Sequence, residues 1–267
     1  QENKLSVGTL LENPNQAASE TNSLIETLFT EPGFLTRVGE DTASLETGEW
    51  WLASGREPDI PLIDRVEEIV LLHLVESRHT SSAAVKACVY QAFPGIYTPE
   101  DEILLNCLES YADLVDPEKH HWLLRQSEQP EARKADIDAM HDSLQKIGGR
   151  LDYRVTGDNP LVWEEQEESS PAYQFQILST AIVYPHIRQH QKARNNILIV
   201  PGSRANLLAY KKQRDPILKR KLDHHFLVMK YRLVRDLEAN PLLSRELFKE
   251  QILADPPEYR SSQLALF

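Results

Sequence analysis

Apolar residues recur at helical spacing across residues 62–76. Ile63, Val66, Ile69, Val70, Leu72, His73 and Leu74 form one stripe, and Asp64, Glu67 and Glu68 fall on the other face. A second helix is predicted over about 82–93, with Thr80 or Ser81 as its cap. Thr98 as N-cap and Pro99 as first helical residue open a third, which carries Ile103, Leu104, Cys107, Leu108, Tyr111 and Leu114. Residues 122–125 form a small hydrophobic anchor, and a helix over 131–147 is stopped by Gly148-Gly149. Strands at 150–155 and 161–163 then flank a loop and read as a wing. Upstream, residues 1–23 read as a polar arm, 23–30 as a short amphipathic helix, and 34–38 with 49–53 as short strands or a hairpin.

Beyond an acidic, hinge-like stretch at 164–171, the period changes. Residues 172–178, 197–200 and 226–229 read as strands. Between them lie a helical segment at 180–193, bent or broken by Pro185, and a helix capped by Ser203 that runs towards Leu218 and Leu222. Helices at 232–238 and 243–253 close the pattern. The fold expected is α+β overall. An arm, short helix and hairpin (1–54) precede a winged-helix-like domain (55–165) and a small basic α/β domain (172–267) with a short, mostly parallel sheet.

The 267 residues include 29 Lys and Arg against 41 Asp and Glu, a formal net charge of −12, with 41% hydrophobic and 26% charged residues. Those proportions exclude disordered, fibrous and disulfide-framed classes. The total argues against a nucleic-acid partner, but its distribution changes that reading. Residues 1–176 hold 13 basic and 33 acidic side chains (net −20), residues 177–235 hold 13 and 2 (net +11), and residues 236–267 hold 3 and 6 (net −3). A localised field matters more to a partner than the sum. Cys88 and Cys107 sit in apolar helical patterns and read as buried free thiols of a reducing compartment, with a disulfide or reactive thiol as the alternative. No apolar run reaches the roughly 18 residues of a membrane helix. No signal peptide is visible, and the expected location is cytoplasmic. Gln1 in place of an initiator Met points to a processed chain or a fragment.

Gly202, Ser203 and Arg204 lie after an apolar strand and at a helix start, where backbone N–H groups and a guanidinium meet an anion. Neither the Walker nor the dinucleotide glycine spacing is present, and a plain tight turn is the competing reading. Lys211, Lys212, Arg214, Lys219, Arg220 and Lys221, followed by Lys230, Arg232 and Arg235, predict an electropositive face for phosphate backbones. Tyr210, Tyr231 and His224-His225 lie among them. The same face could instead dock on the acidic part of the chain. In the wing, Arg150 and Arg154 are diluted by Asp152 and Asp158, and the third helix is acidic, so this part reads as a scaffold more than a base reader. A restriction-type nuclease would draw on Asp152, Glu164 and Glu165, but the following strand has neither acid nor Lys. His186 and His190 have no accompanying ligand pattern, and Ser203 lacks the nucleophile-elbow glycines.

Gly48-Glu-Trp-Trp-Leu-Ala53, Phe93-Pro-Gly-Ile-Tyr-Thr-Pro99, Leu108-Glu-Ser-Tyr-Ala112, Val200-Pro-Gly-Ser-Arg-Ala205 and Leu207-Leu-Ala-Tyr-Lys211 together resemble the non-catalytic C-terminal regions of bacterial adenine-specific DNA methyltransferases and related restriction or phage-defence proteins. The resemblance spans about 25–255 and implies DNA engagement or assembly beside a catalytic domain. The chain lacks the Asp/Asn-Pro-Pro-Tyr/Phe motif and a glycine-rich cofactor loop, so no cofactor is expected. The leading expectation is a non-catalytic DNA-associated module within a larger assembly, partnered by DNA and by a protein or linked catalytic domain. A protein-interaction scaffold and a degenerate metal-dependent nuclease are the alternatives.

Overall fold

The computed structural model describes Ser23, residues 35–38 and 49–52, and residues 60–165, 171–188 and 193–259. The polar arm and the rest of the 23–30 helix lie outside the described residues, as do 166–170 of the hinge and 189–192 of the helix expected at 180–193. The chain forms two units, 1–59 and 60–267. In the first, strand β1 (Leu35–Val38) pairs antiparallel with β2 (Glu49–Leu52), with Leu35 opposite Leu52. Of the short strands or hairpin expected at 34–38 and 49–53, the antiparallel pairing is what forms.

The second unit begins with α1 (Leu62–Ser77), β3 (His79–Ser81), α2 (Ser82–Ala92), α3 (Asp101–Tyr111), β4 (Ala112–Asp116) and β5 (His121–Leu124). Ser81 caps α2 by accepting the Ala84 N–H at 3.2 Å. The strands form an antiparallel sheet in the order β3-β5-β4. Leu114 belongs to β4 instead of extending α3, and the anchor at 122–125 is largely strand β5. Strands of three to five residues give too few alternations to declare their period.

The rest comprises α4 (Pro130–Arg150), β6 (Arg154–Thr156), β7 (Leu161–Glu164), β8 (Tyr173–Ile177), α5 (Tyr184–Arg188), β9 (Asn195–Val200), α6 (Gly202–Arg214), α7 (Pro216–His225), β10 (Phe226–Lys230), α8 (Tyr231–Ala239) and α9 (Arg245–Ala254). One five-stranded sheet runs β10-β9-β8-β7-β6. Its β10-β9-β8 half is parallel and its β8-β7-β6 half antiparallel. The sheet is therefore mixed, which corrects the expectation of a winged-helix-like part followed by a mostly parallel sheet. The supposed wing is β6 and β7, and β7 pairs with β8 across the acidic stretch expected as a hinge. The physical reason is apolar surface: Leu161 and Trp163 are fully buried, which an exposed wing does not allow.

Two cores lie on opposite faces of this sheet. Leu198 and Val200 of β9 point into one with α1, α2, α3, α6 and α7, while Ile197 and Ile199 point into the other with α4, α8 and α9. Burial on both faces is what the apolar run of β9 records. The helix expected from Ser203 to Leu222 is two helices. Asp215 accepts the N–H groups of Ile217 and Leu218 at 2.9 Å and Pro216 occupies the first turn, so a new N-terminus forms there. Gly148-Gly149 does not stop α4, because Gly148 is where the helix touches the sheet. A Cβ there would meet Val155 Cγ2 at 2.6 Å and Trp163 Nε1 at 2.7 Å. Among the described residues no helix is long and apolar enough to cross a membrane.

Candidate functional site

The strongest basic candidates in the sequence are internal. Lys211 is fully buried, with Nζ 2.5 Å from Asp64 Oδ1, bonded to Glu67 Oε2, and 3.0 Å from the Ala181 carbonyl. Asp64 and Glu67 are not on a solvent face, as the period of α1 predicts, but buried in this network. Tyr111 Oη also donates to Glu67, as does the Ala181 N–H at 2.8 Å. Burial pushes the Asp64 carboxyl above its ordinary range against the pull of Lys211. Two turns earlier on α6, Arg204 is also fully buried. It pairs with Glu128, donates to the Ser179 carbonyl at 3.1 Å and to Ser110 Oγ at 2.9 Å, and lies 3.4 Å above the Tyr111 ring. Lys211 and Arg204 hold α6 to α1, α3 and the 178–181 turn, and neither is available to a phosphate.

Carboxylates also meet much of the remaining basic set. Lys212 pairs with Asp223, and Arg214 with Glu102 and with Glu100 at 3.0 Å. Lys230 and Arg232 share Asp255 at 2.6 and 3.4 Å. Lys221 donates to Tyr184 Oη at 3.2 Å and lies over its ring. Lys219 and Arg220 are exposed on α7. The wing residues are occupied too: Arg150 bonds the Leu237 and Glu238 carbonyls at 2.7 and 2.9 Å, and Arg154 bonds Glu164 at 2.8 Å. The continuous lysine-rich face expected from the sequence is thus largely neutralised.

A different basic site forms where the parallel strands end. Ser179 follows β8, Pro201-Gly202-Ser203 follows β9, and Tyr231 follows β10; together they border a cavity of about 270 Å³. Four arginines line it: Arg125 after β5, Arg133 on the first turn of α4, and Arg232 and Arg235 on α8. The carboxylates on its wall are Glu128 and Asp136. Glu128 is spent on Arg204 beneath the floor, and Arg235 meets Asp136 at 3.0 Å. Arg125 is fixed by the Glu109, Ser110 and Ala112 carbonyls at 2.7–2.9 Å, at the C-terminal end of α3, and pairs with Asp113 at 2.7 Å. Arg133 bonds Ser179 Oγ at 3.0 Å. Four guanidinium groups thus line the cleft against two carboxylates, and Arg133 is the one with no carboxylate bridged to it among the described residues. Gly202 opens α6 after Pro201, with no side-chain cap, so helix N–H groups face the same region. Ser203 is not the cap; it lies one residue inside the helix and its Oγ accepts from Arg204 at 3.0 Å.

The cleft thus gathers Gly202, Ser203, Arg232 and Arg235 from the sequence candidates and leaves Arg204 below them. Arg125, after β5, and Arg133, on α4, come from elements distant in sequence and were not among the sequence candidates, whereas the three-residue spacing of Arg232 and Arg235 advertised a shared face. Of the carboxylates considered for a nuclease, Glu164 pairs with Arg154 and Glu165 with Arg194 at 3.2 Å. Among the described residues no cluster of His, Cys, Asp or Glu has the arrangement of a metal site. Cys107 is buried, with its thiol pushed well up by desolvation, and Cys88 is half-buried.

Comparison of the chain with family models, with curated proteins and with solved structures returns no match.

Proposed function

We propose that the protein is a non-catalytic, DNA-associated module that holds backbone phosphate in the arginine cleft, serving a cytoplasmic DNA-modification or defence assembly. The observation that carries this reading is the convergence of Arg125, Arg133, Arg232 and Arg235 beside the exposed N-terminus of α6. Planar guanidinium groups suit phosphate oxygens through paired N–H donors, and a helix N-terminus adds N–H groups and partial positive charge. Resting on backbone phosphates, such binding is insensitive to sequence and weakens steeply with salt. The acidic remainder of the chain limits contact to this one place.

Fluorescence anisotropy of labelled DNA over a salt series tests the proposal. Affinity should fall log-linearly with salt, with a slope of about 0.7–0.9 per phosphate engaged. Absence of salt-dependent binding removes the reading. A protein-docking role has its own support in Val115 and Leu123, which lie exposed on the antiparallel sheet with His79 opposite Leu123. A partner retained after nuclease digestion, and lost in Leu123→Asp, favours that second reading.

A further inference from the structure

A larger cavity of about 600 Å³ adjoins the arginine cleft, and Gly202 and Arg232 line both. Its walls are Ala205 and Asn206 of α6, Lys230 at the end of β10, Ala254 at the end of α9, and the segment 255–258. We infer that this cavity is a nucleobase chamber, and that the ligand is a strand with a base out of its stack and not a closed duplex. The inference rests on the phosphate reading of the neighbouring cleft.

Charge separates the two compartments. The smaller has more guanidinium than carboxylate, whereas Lys230 and Arg232 in the larger are balanced by Asp255 and Glu258. A phosphate gains from the first and little from the second. An uncharged base and sugar, tethered to that phosphate, fit the second. Its volume lies in the range of small-ligand sites. Ala254, Pro256 and Pro257 offer apolar surface to a ring face. The Glu258 carboxylate offers acceptor groups to a base edge. In a duplex the base is stacked inwards and cannot enter a cavity beside its own phosphate, so the chamber selects single-stranded or extruded nucleotides.

The test uses the full chain and two single-stranded DNAs with the same number of phosphates, one carrying bases and one fully abasic. The base-bearing strand should bind about tenfold more tightly than the abasic strand. It should also bind more tightly than the corresponding duplex. Ala254→Trp places a ring in the chamber from the exposed end of α9 and should bring the two strands to equal affinity; Glu258→Leu, which removes the acceptor, should narrow the difference. Equal affinities in the native chain, a preference for duplex, or a difference that persists in both variants overturns the inference. If neither strand binds, the phosphate reading itself fails and takes the chamber with it.

Discussion

Lys211 Nζ and Asp64 Oδ1 stand 2.5 Å apart with both side chains fully buried, joining α6 to the first helix of the same unit across 147 residues of chain. Glu67 completes the network, so one ammonium faces two carboxyl groups. Removing the ammonium leaves buried acids uncompensated, a loss of about 3–5 kcal/mol. Lys211→Met should unfold at markedly lower denaturant, while adding Asp64→Asn and Glu67→Gln should restore part of the loss. Urea titrations of the single and triple variants decide this; equal destabilisation in both contradicts the network.

The same network sets a pH dependence. Burial holds the Asp64 carboxyl above its ordinary 3.8, so the folded chain takes up this proton at a higher pH than the unfolded chain. As pH falls through the folded value towards 3.8, the Asp64 chain should gain stability relative to Asp64→Asn, and the gain should level off below 3.8. Denaturation of both proteins at a series of acidic pH values measures the difference. A native chain that loses ground to the variant over that interval contradicts the sign.

Helix periodicity gave α1, α2 and α9 nearly residue for residue, because each has a long enough stripe to declare its period. The antiparallel sheet of the first half was missed because its strands are three to five residues long. The helical period sets Asp64 and Glu67 on a solvent face because it cannot distinguish a charge that meets water from one that meets Lys211. Lys211 and Arg204 stood out as a basic run, yet their partners lie far away in sequence. The arginine cleft was invisible for the same reason. Arg125 and Arg133 join Arg232 and Arg235 only after the strands end together.

Gly148 is held between α4 and the sheet by the Trp163 indole, whose ring stacks on Tyr153 at 5.3 Å and contacts Phe175 and Phe248. Gly148→Ala gains about 1 kcal/mol in helix propensity but forces a methyl against rings that cannot retreat, at a cost of about 1–3 kcal/mol. The net change should be a lower Tm with an altered near-ultraviolet tryptophan signal. Gly149, beside it, has no atom within 4 Å of the added Cβ, so Gly149→Ala should be neutral or stabilising. Thermal unfolding of the two variants distinguishes the positions.

Within the cleft, Arg133 is half-buried and Arg235 exposed, so removing either guanidinium leaves the core intact. Arg133→Ala and Arg235→Ala should each weaken DNA binding nearly uniformly across sequences and reduce the salt slope by about 1. Lys219→Ala with Arg220→Ala, on α7, should change the slope less. Anisotropy titrations on two unrelated sequences make the comparison. A larger effect from the α7 pair returns the binding face to the lysine-rich helices.

Asp255 bridges Lys230 and Arg232 on the wall of the larger cavity, and these bonds hold its carboxyl below the ordinary range. It therefore remains ionised throughout the neutral range and competes with any phosphate for Arg232. Asp255→Asn removes the charge while keeping the side chain's shape. Because the pair is partly solvated, the release is modest, and affinity for DNA should rise by up to about fivefold at low salt. The salt slope should steepen, since freed cations engage phosphate in place of the carboxylate. Isotherms for the native chain and the variant at two salt concentrations test both parts. An unchanged affinity and slope place the bound phosphate away from Arg232, on the Arg125 and Arg133 side of the cleft.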